Sequence, residues 1–131
     1  MIPSLSPLEQ QHYWQYLENA SHLYIVRIDL NGHYTYVNSY FKERFQFEAE
    51  AIIGSHSLST IIPEDHAKTI TVVQTCLENP GKAIPVTLRK PLLDGVVWTD
   101  WEFIAVPDEH GQPVEILCIG ADASARQRAN E

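Results

Sequence analysis

Asn31-Gly32 stands between two short runs rich in β-branched and aromatic residues, His22 to Leu30 and His33 to Val37. Both residues tolerate the positive φ angles of a two-residue turn, so the segment is predicted to form an antiparallel hairpin. Strand signals return only near the other end of the chain. Lys82 to Arg89, Val96 to Val106 and Pro113 to Ala121 are joined by Asp94-Gly95 and by Asp108-Glu109-His110-Gly111. They predict a three-stranded antiparallel meander.

The rest is helical. Ser6-Pro7-Leu8-Glu9 places a capping hydroxyl, a proline at the first helical position and a reciprocal carboxylate, which predicts a helix over 6–20. Leu8, Tyr13, Trp14, Tyr16, Leu17 and Ala20 give it one broad apolar face. That face either lies on the core or leaves aromatic surface for a second subunit. Asn38 is placed to cap a short helix over 39–46, and a further turn over 49–53 ends at Gly54. Pro63-Glu64-Asp65 opens a helix over 64–78, with Ala67, Ile70, Val73 and Leu77 at spacings of three and four. Hairpin, helices and meander together predict an α+β fold: one antiparallel sheet with its helices on one face.

Composition narrows the class. In 131 residues there is room for one domain, and 17 acidic against 9 basic side chains give a formal charge of −8. Such a charge opposes binding to nucleic acid or to an anionic membrane surface. No run approaches the length of a membrane helix, and residues 1–11 do not read as a signal peptide. Only two cysteines occur, Cys76 and Cys118, so a cytoplasmic protein without a disulfide framework is expected.

Several short blocks, in this order, resemble a PAS domain, the sensory module of many bacterial signalling proteins. Ile28-Asp29-Leu30-Asn31-Gly32 with Tyr36-Val37-Asn38 is similar to the family's opening hairpin and its asparagine. Ile52-Ile53-Gly54 with Ile62-Pro63-Glu64-Asp65-His66 resembles its "liG…ihPeD" segment, and Asp94-Gly95 with Trp98 its "kDG…w" hairpin. Asp108, Gly111 and Pro113 resemble "De.G.pv", and Asp122-Ala123-Ser124-Ala125-Arg126 the closing D-I-T-x-R. Gln46 stands where the family usually has glycine. The resemblance covers about residues 20–126 and implies a five-stranded sheet of order 2-1-5-4-3. It divides the chain into a flanking helix over 1–20, the domain over 21–122 and the start of a linker helix over 123–131.

The resemblance also implies roles. Asp122 and Arg126, four apart, are the expected joint between the last strand and an output helix. Asn38, Gly54, Asp94 and Gly95 are expected to be structural. Trp98 and Trp101 lie three apart in one strand and so face opposite sides. Parity groups Trp101 with Val97, Phe103 and Ala105, the set expected to face the helices. Phe41, Phe45, Ile53, Ile70, Val73, Trp101 and Phe103 are the candidate lining of a pocket, or else fill a solid core. Glu64 and Asp65 suit a helix N-terminus.

Six histidines show no paired spacing for zinc. His66 opens the helix from which haem-binding relatives offer their iron ligand, so it matters only if haem is present. Haem or flavin is not required by the sequence. Light-sensing relatives carry a reactive cysteine where this chain has Gly54-Ser55-His56-Ser57, which argues against flavin–cysteinyl photochemistry.

These readings combine into a non-catalytic sensory and dimerisation module. A homodimer through the N-terminal helix, a small apolar or aromatic ligand, and a C-terminal effector are the expected partners. The effector implied by the resemblance is a histidine kinase or a cyclic-dinucleotide enzyme. The alternatives are a ligand-free protein–protein interaction domain and, from another class, a small cone-shaped α+β enzyme, which needs an inward carboxylate or histidine; Asp100 and Glu102 share a strand face, but parity turns them away from the helices.

Overall fold

The computed structural model describes residues 6–45 and 49–129. Helix α1 (Pro7–Glu18) leads into strands β1 (Tyr24–Ile28) and β2 (Tyr34–Val37). Helices α2 (Ser39–Phe45), α3 (Ala49–Ile52) and α4 (His66–Glu78) follow, with 3-10 turns at Ser57–Thr60 and Pro63–Asp65. Strands β3 (Ala83–Leu92), β4 (Gly95–Pro107) and β5 (Pro113–Asp122) and a short helix α5 (Ser124–Ala129) complete the chain. The five strands form one antiparallel sheet of order 2-1-5-4-3, as expected. Among the described residues no helix is long and apolar enough to cross a membrane.

The first hairpin turns differently from the two-residue reading. The Gly32 N–H donates to the Asp29 carbonyl and the Asp29 N–H to the His33 carbonyl, so the loop is Leu30-Asn31-Gly32. The Asp29 carboxylate explains the longer loop, because it accepts the N–H groups of both Asn31 and His33 at 2.9 Å. Gly32 carries a positive φ, +88°. A Cβ there would also stand 2.9 Å from the His56 ring, so the position excludes other residues twice over.

Inward residues alternate along every long strand. Val86, Leu88 and Lys90 on β3, and Val97, Thr99, Trp101, Phe103 and Ala105 on β4, are all buried. Trp101 thus faces the helices, lying flat on Gly120 of β5, where a Cβ would come within 2.6 Å of its ring. Trp98 is on the outer face, stacked with the Arg89 guanidinium 5.0 Å from its ring centre.

Helix α4 buries a different face from the one predicted. Thr69, Val72 and Cys76 are its buried residues, while Ile70 is 47% exposed and Val73 and Leu77 only border the core. The cause lies in Asp65. It does not cap the helix with its side chain; it turns inward to β3, and this sets the helix rotation. Its Oδ2 accepts the Arg89 backbone N–H at 2.8 Å, and its Oδ1 accepts the Arg89 guanidinium at 2.7 Å.

Helix α1 has the predicted capping box between Ser6 and Glu9. It buries no residue at all. Its last turn is tethered instead: Glu18 accepts hydrogen bonds from the Tyr36 and Ser39 hydroxyls, and the Leu17 carbonyl accepts one from Asn38. Trp14 packs edge-on against Tyr36. Leu8, Tyr13 and Tyr16 remain exposed.

Candidate functional site

Lys90 sits on the inward parity of β3, in line with Val86 and Leu88, and only 2% of it is exposed. Its Nζ donates to Thr60 Oγ1 at 3.0 Å, Tyr34 Oη at 3.3 Å and the Thr60 carbonyl at 3.4 Å. Thr60 spends its own proton on the Ser57 carbonyl at 2.9 Å, so the Tyr34 hydroxyl, 2.6 Å away, must be the donor to Thr60. Three ammonium protons thereby meet three acceptors, all of them neutral.

Aromatic faces supply the rest of the surroundings. The Nζ lies 5.1 Å from the centre of Phe41, 5.6 Å from Phe45 and 5.7 Å from Trp101. Ring quadrupoles favour a cation there, but they replace little of the lost hydration. Burial accordingly pushes the Lys90 pKa down to about 7. A cavity of about 20 Å³ adjoins it, lined by Tyr34, Thr69, Lys90, Trp101, Phe103 and Cys118 among others. That is room for about one water molecule, so neither a haem nor a flavin fits this arrangement.

The sequence-predicted lining separates into groups. Phe41, Phe45, Trp101 and Phe103 converge on this core. Ile53 and Ile70 do not, being 42% and 47% exposed, and Val73 lines a shallow groove beside Leu30 and His56. Lys90 was missed because the predicted strand stopped at Arg89. Extending the alternation of Ile84, Val86 and Leu88 by one step would have placed it inside.

The buried asparagine works harder than a cap. Asn38 Oδ1 accepts from the N–H of Ile25 at 3.1 Å and of Phe41 at 3.3 Å. Its Nδ2 donates to the carbonyls of Leu17 at 3.0 Å and Leu23 at 2.9 Å. One side chain therefore joins α1, β1 and α2. Gly54 takes φ +91° after α3. The β3–β4 hairpin turns at Leu93-Asp94, one residue before the predicted Asp94-Gly95, because Gly95 already pairs with Leu92 as the first residue of β4.

At the far end of β5, the Asp122 carboxylate accepts the Ser124 N–H at 2.8 Å and the Arg44 guanidinium at 3.3 Å. Arg44, which the sequence reading passed over, links this joint to α2. The side chain of Arg126, its expected partner, lies outside the described residues, as does Gln46. His66 is engaged with the Ile61 carbonyl at 2.8 Å. Among the described residues no group of three His, Cys, Asp or Glu could hold a metal ion. Cys76 and Cys118 are free and buried, and desolvation raises both thiols. Asp100 is on the outer face of the sheet, accepting from Thr87 at 2.6 Å, and Glu102 is exposed, so the two form no inward acid/base pair.

Lys90→Met is expected to stabilise the fold. None of its oxygen partners depends on it: Tyr34 and Thr60 keep each other, and an apolar isostere of a buried charge gains about 1–4 kcal/mol. The sign with pH follows from a folded pKa of about 7, below the unfolded value of about 10.4. The cost is present in full below about pH 7 and is relieved as pH climbs toward about 10, because the folded state then sheds its proton first. Urea melts at several pH values should show the stability gap between variant and wild type shrinking over that window, the raised thiols Cys76 and Cys118 acting alike in both proteins. A variant less stable than wild type at neutral pH would contradict this account.

Comparison with known proteins agrees with the fold. The family model for the PAS fold matches residues 19–128. A PAS domain from Colwellia psychrerythraea is 22% identical, with 89% of this chain and 98% of that one covered at a TM-score of 0.79. The PAS domain of an HTR-like protein from Haloarcula marismortui is 18% identical, covering 88% and 93% at 0.69. The PAS-B domain of Drosophila melanogaster Cycle, solved with bound ethylene glycol, is 14% identical, covering 76% and 98% at 0.67. No curated protein matches. With the hairpin, the helical segment and the meander in this order, and a family match spanning residues 19–128, the chain belongs to the PAS fold family.

Proposed function

We propose that this domain is a non-catalytic sensory and dimerisation module of a signal-transduction protein. It reads a small ligand, or a partner domain, in the aromatic core around Lys90. The observation that carries the reading is that core itself: a buried ammonium whose hydrogen-bond partners are all neutral, bordered by a cavity and three aromatic rings. A stability-optimised core has no use for such a charge, whereas a binding site does.

Output would leave through the end of β5. The Ala123 N–H donates to the Trp98 carbonyl at 2.8 Å, and Asp122 holds both the start of α5 and Arg44 of α2. Movement of either α2 or β4 against β5 therefore bears on the α5 junction, with Asp122 and Arg126 as its relay residues. A histidine kinase or a cyclic-dinucleotide enzyme is the effector proposed downstream, by analogy with the family alone. Tyr13 and Tyr16 of α1, 57% and 72% exposed, supply the surface for a second copy of the chain.

Native mass spectrometry and an absorption spectrum of the purified protein test this. The expected result is a dimer that Tyr13→Glu with Tyr16→Glu converts to monomer, carrying small-molecule mass released on denaturation. A wild-type monomer would overturn the α1 dimer. A dimer without added mass would favour the ligand-free interaction domain.

A further inference from the structure

Phe45 ends α2 and is 8% exposed. On its outer side lies a groove of about 600 Å³ whose walls include Arg44, Phe45, Thr60, Pro91 and Leu92. On its inner side is Lys90, with Nζ 5.6 Å from the ring centre. Thr60 is shared in the same way, since it borders the groove and accepts from Nζ. Among the described residues, these two side chains are common to the groove and to the contacts of the buried ammonium.

The ring of Phe45 occupies a slot shaped for a planar six-membered ring. Phe41 lies 4.9 Å from it and Tyr24 5.2 Å, both tilted, and Trp101 stacks on Tyr24 at 5.6 Å. Two of the three Nζ contacts, at 3.3 and 3.4 Å, are longer than a charge-assisted bond of about 2.8 Å. They can be exchanged for one to an anion. Lys90 thus stands beside one ring with its hydrogen bonds going only to neutral oxygens and no counter-charge among them.

Resting on the ligand-sensing reading above, we propose that the space Phe45 fills is a binding site for a small aromatic monocarboxylate. The ligand's ring takes the place of the Phe45 ring against Phe41 and Tyr24, and its carboxylate pairs with the Lys90 ammonium. One ammonium in apolar walls matches one negative charge. A dianion would be left with an unpaired buried charge, which is costly. Pairing also holds the proton on Lys90, so binding should take up a proton near neutral pH and weaken as pH rises. The titratable groups facing Lys90 are Tyr34 on β2 and Cys118 on β5, both raised by burial. They stay neutral throughout that range.

Calorimetry with benzoate and with benzyl alcohol, its neutral counterpart, on wild type, Phe45→Ala and Lys90→Met tests the proposal. Benzoate should bind the Phe45→Ala protein about tenfold or more tighter than wild type, because no ring has to be displaced. In both it should outbind benzyl alcohol by about tenfold or more, and Lys90→Met should abolish that preference. Should Phe45→Ala fail to fold, Phe45→Leu serves in its place. Equal binding of the two probes, or a benzoate preference that survives Lys90→Met, overturns the proposal. Binding of benzyl alcohol without benzoate would overturn the carboxylate class while leaving a ligand-sensing core intact. Binding of neither probe to the Phe45 variant overturns the site, and the native mass of the wild type then decides the broader reading separately.

Discussion

Replacing Asn38 with alanine is expected to lower stability by about 2–6 kcal/mol, counting two buried donors at about 1–3 kcal/mol each. Those donors are the Ile25 and Phe41 N–H groups that Oδ1 accepts. The other two partners weigh less. The Leu17 and Leu23 carbonyls are only partly buried and can turn to water once Nδ2 is gone. Their loss should appear elsewhere, as faster proteolytic cleavage of α1, whose last turn is then left to the Glu18 tether and the Trp14–Tyr36 contact. Asn38→Asp tests the donor side alone. It keeps the acceptor for both N–H groups but turns a carboxylate toward two carbonyl oxygens. It should therefore release α1 and lose most of the stability as well. Urea midpoints within a few tenths of a molar of wild type for Asn38→Ala would show that the asparagine is not the joint described here.

Asp65→Ala should cost about 2–4 kcal/mol, chiefly because the Arg89 backbone N–H loses its acceptor inside the fold. The guanidinium contributes less, since its side chain is 31% exposed and rehydrates while keeping its place over Trp98. Asp65→Asn, which retains an oxygen for that N–H, should fall between the two. The wild-type carboxyl also makes stability depend on pH. Hydrogen bonds from the Arg89 side chain, then from its backbone, with the nearby Lys68 charge, hold it below the usual carboxylate range. Its contribution is complete above about pH 4 and is lost as pH falls through the depressed value. Acid titration of unfolding should show this loss in wild type and not in Asp65→Asn. Equal acid sensitivity in the two proteins would rule out the Asp65–Arg89 tether as a source of stability.

Asn38 and Asp65 both resemble family positions, and both read from sequence as helix-end residues. Each was placed correctly along the chain and given too small a task. A cap is a local interaction, visible in a run of four residues. A side chain that crosses from α2 to β1, or from α4 to β3, depends on which faces meet, and no local pattern contains that.

The strand count and the α+β class follow from residue alternation and turn residues alone, because period and turn chemistry act over a few positions. The sheet order was legible through the family resemblance, and Trp101 through parity within one strand. Tertiary contact decided the rest. It turned Ile53 and Ile70 outward, rotated α4 onto Thr69, Val72 and Cys76, and left α1 capped as predicted yet without a buried residue. Above all it placed Lys90 beneath Phe41, Phe45 and Trp101. Sequence sets which residues share a face. Whether that face meets water, another face or a buried charge is fixed only when the elements pack, since burial belongs to pairs of surfaces and not to either one alone.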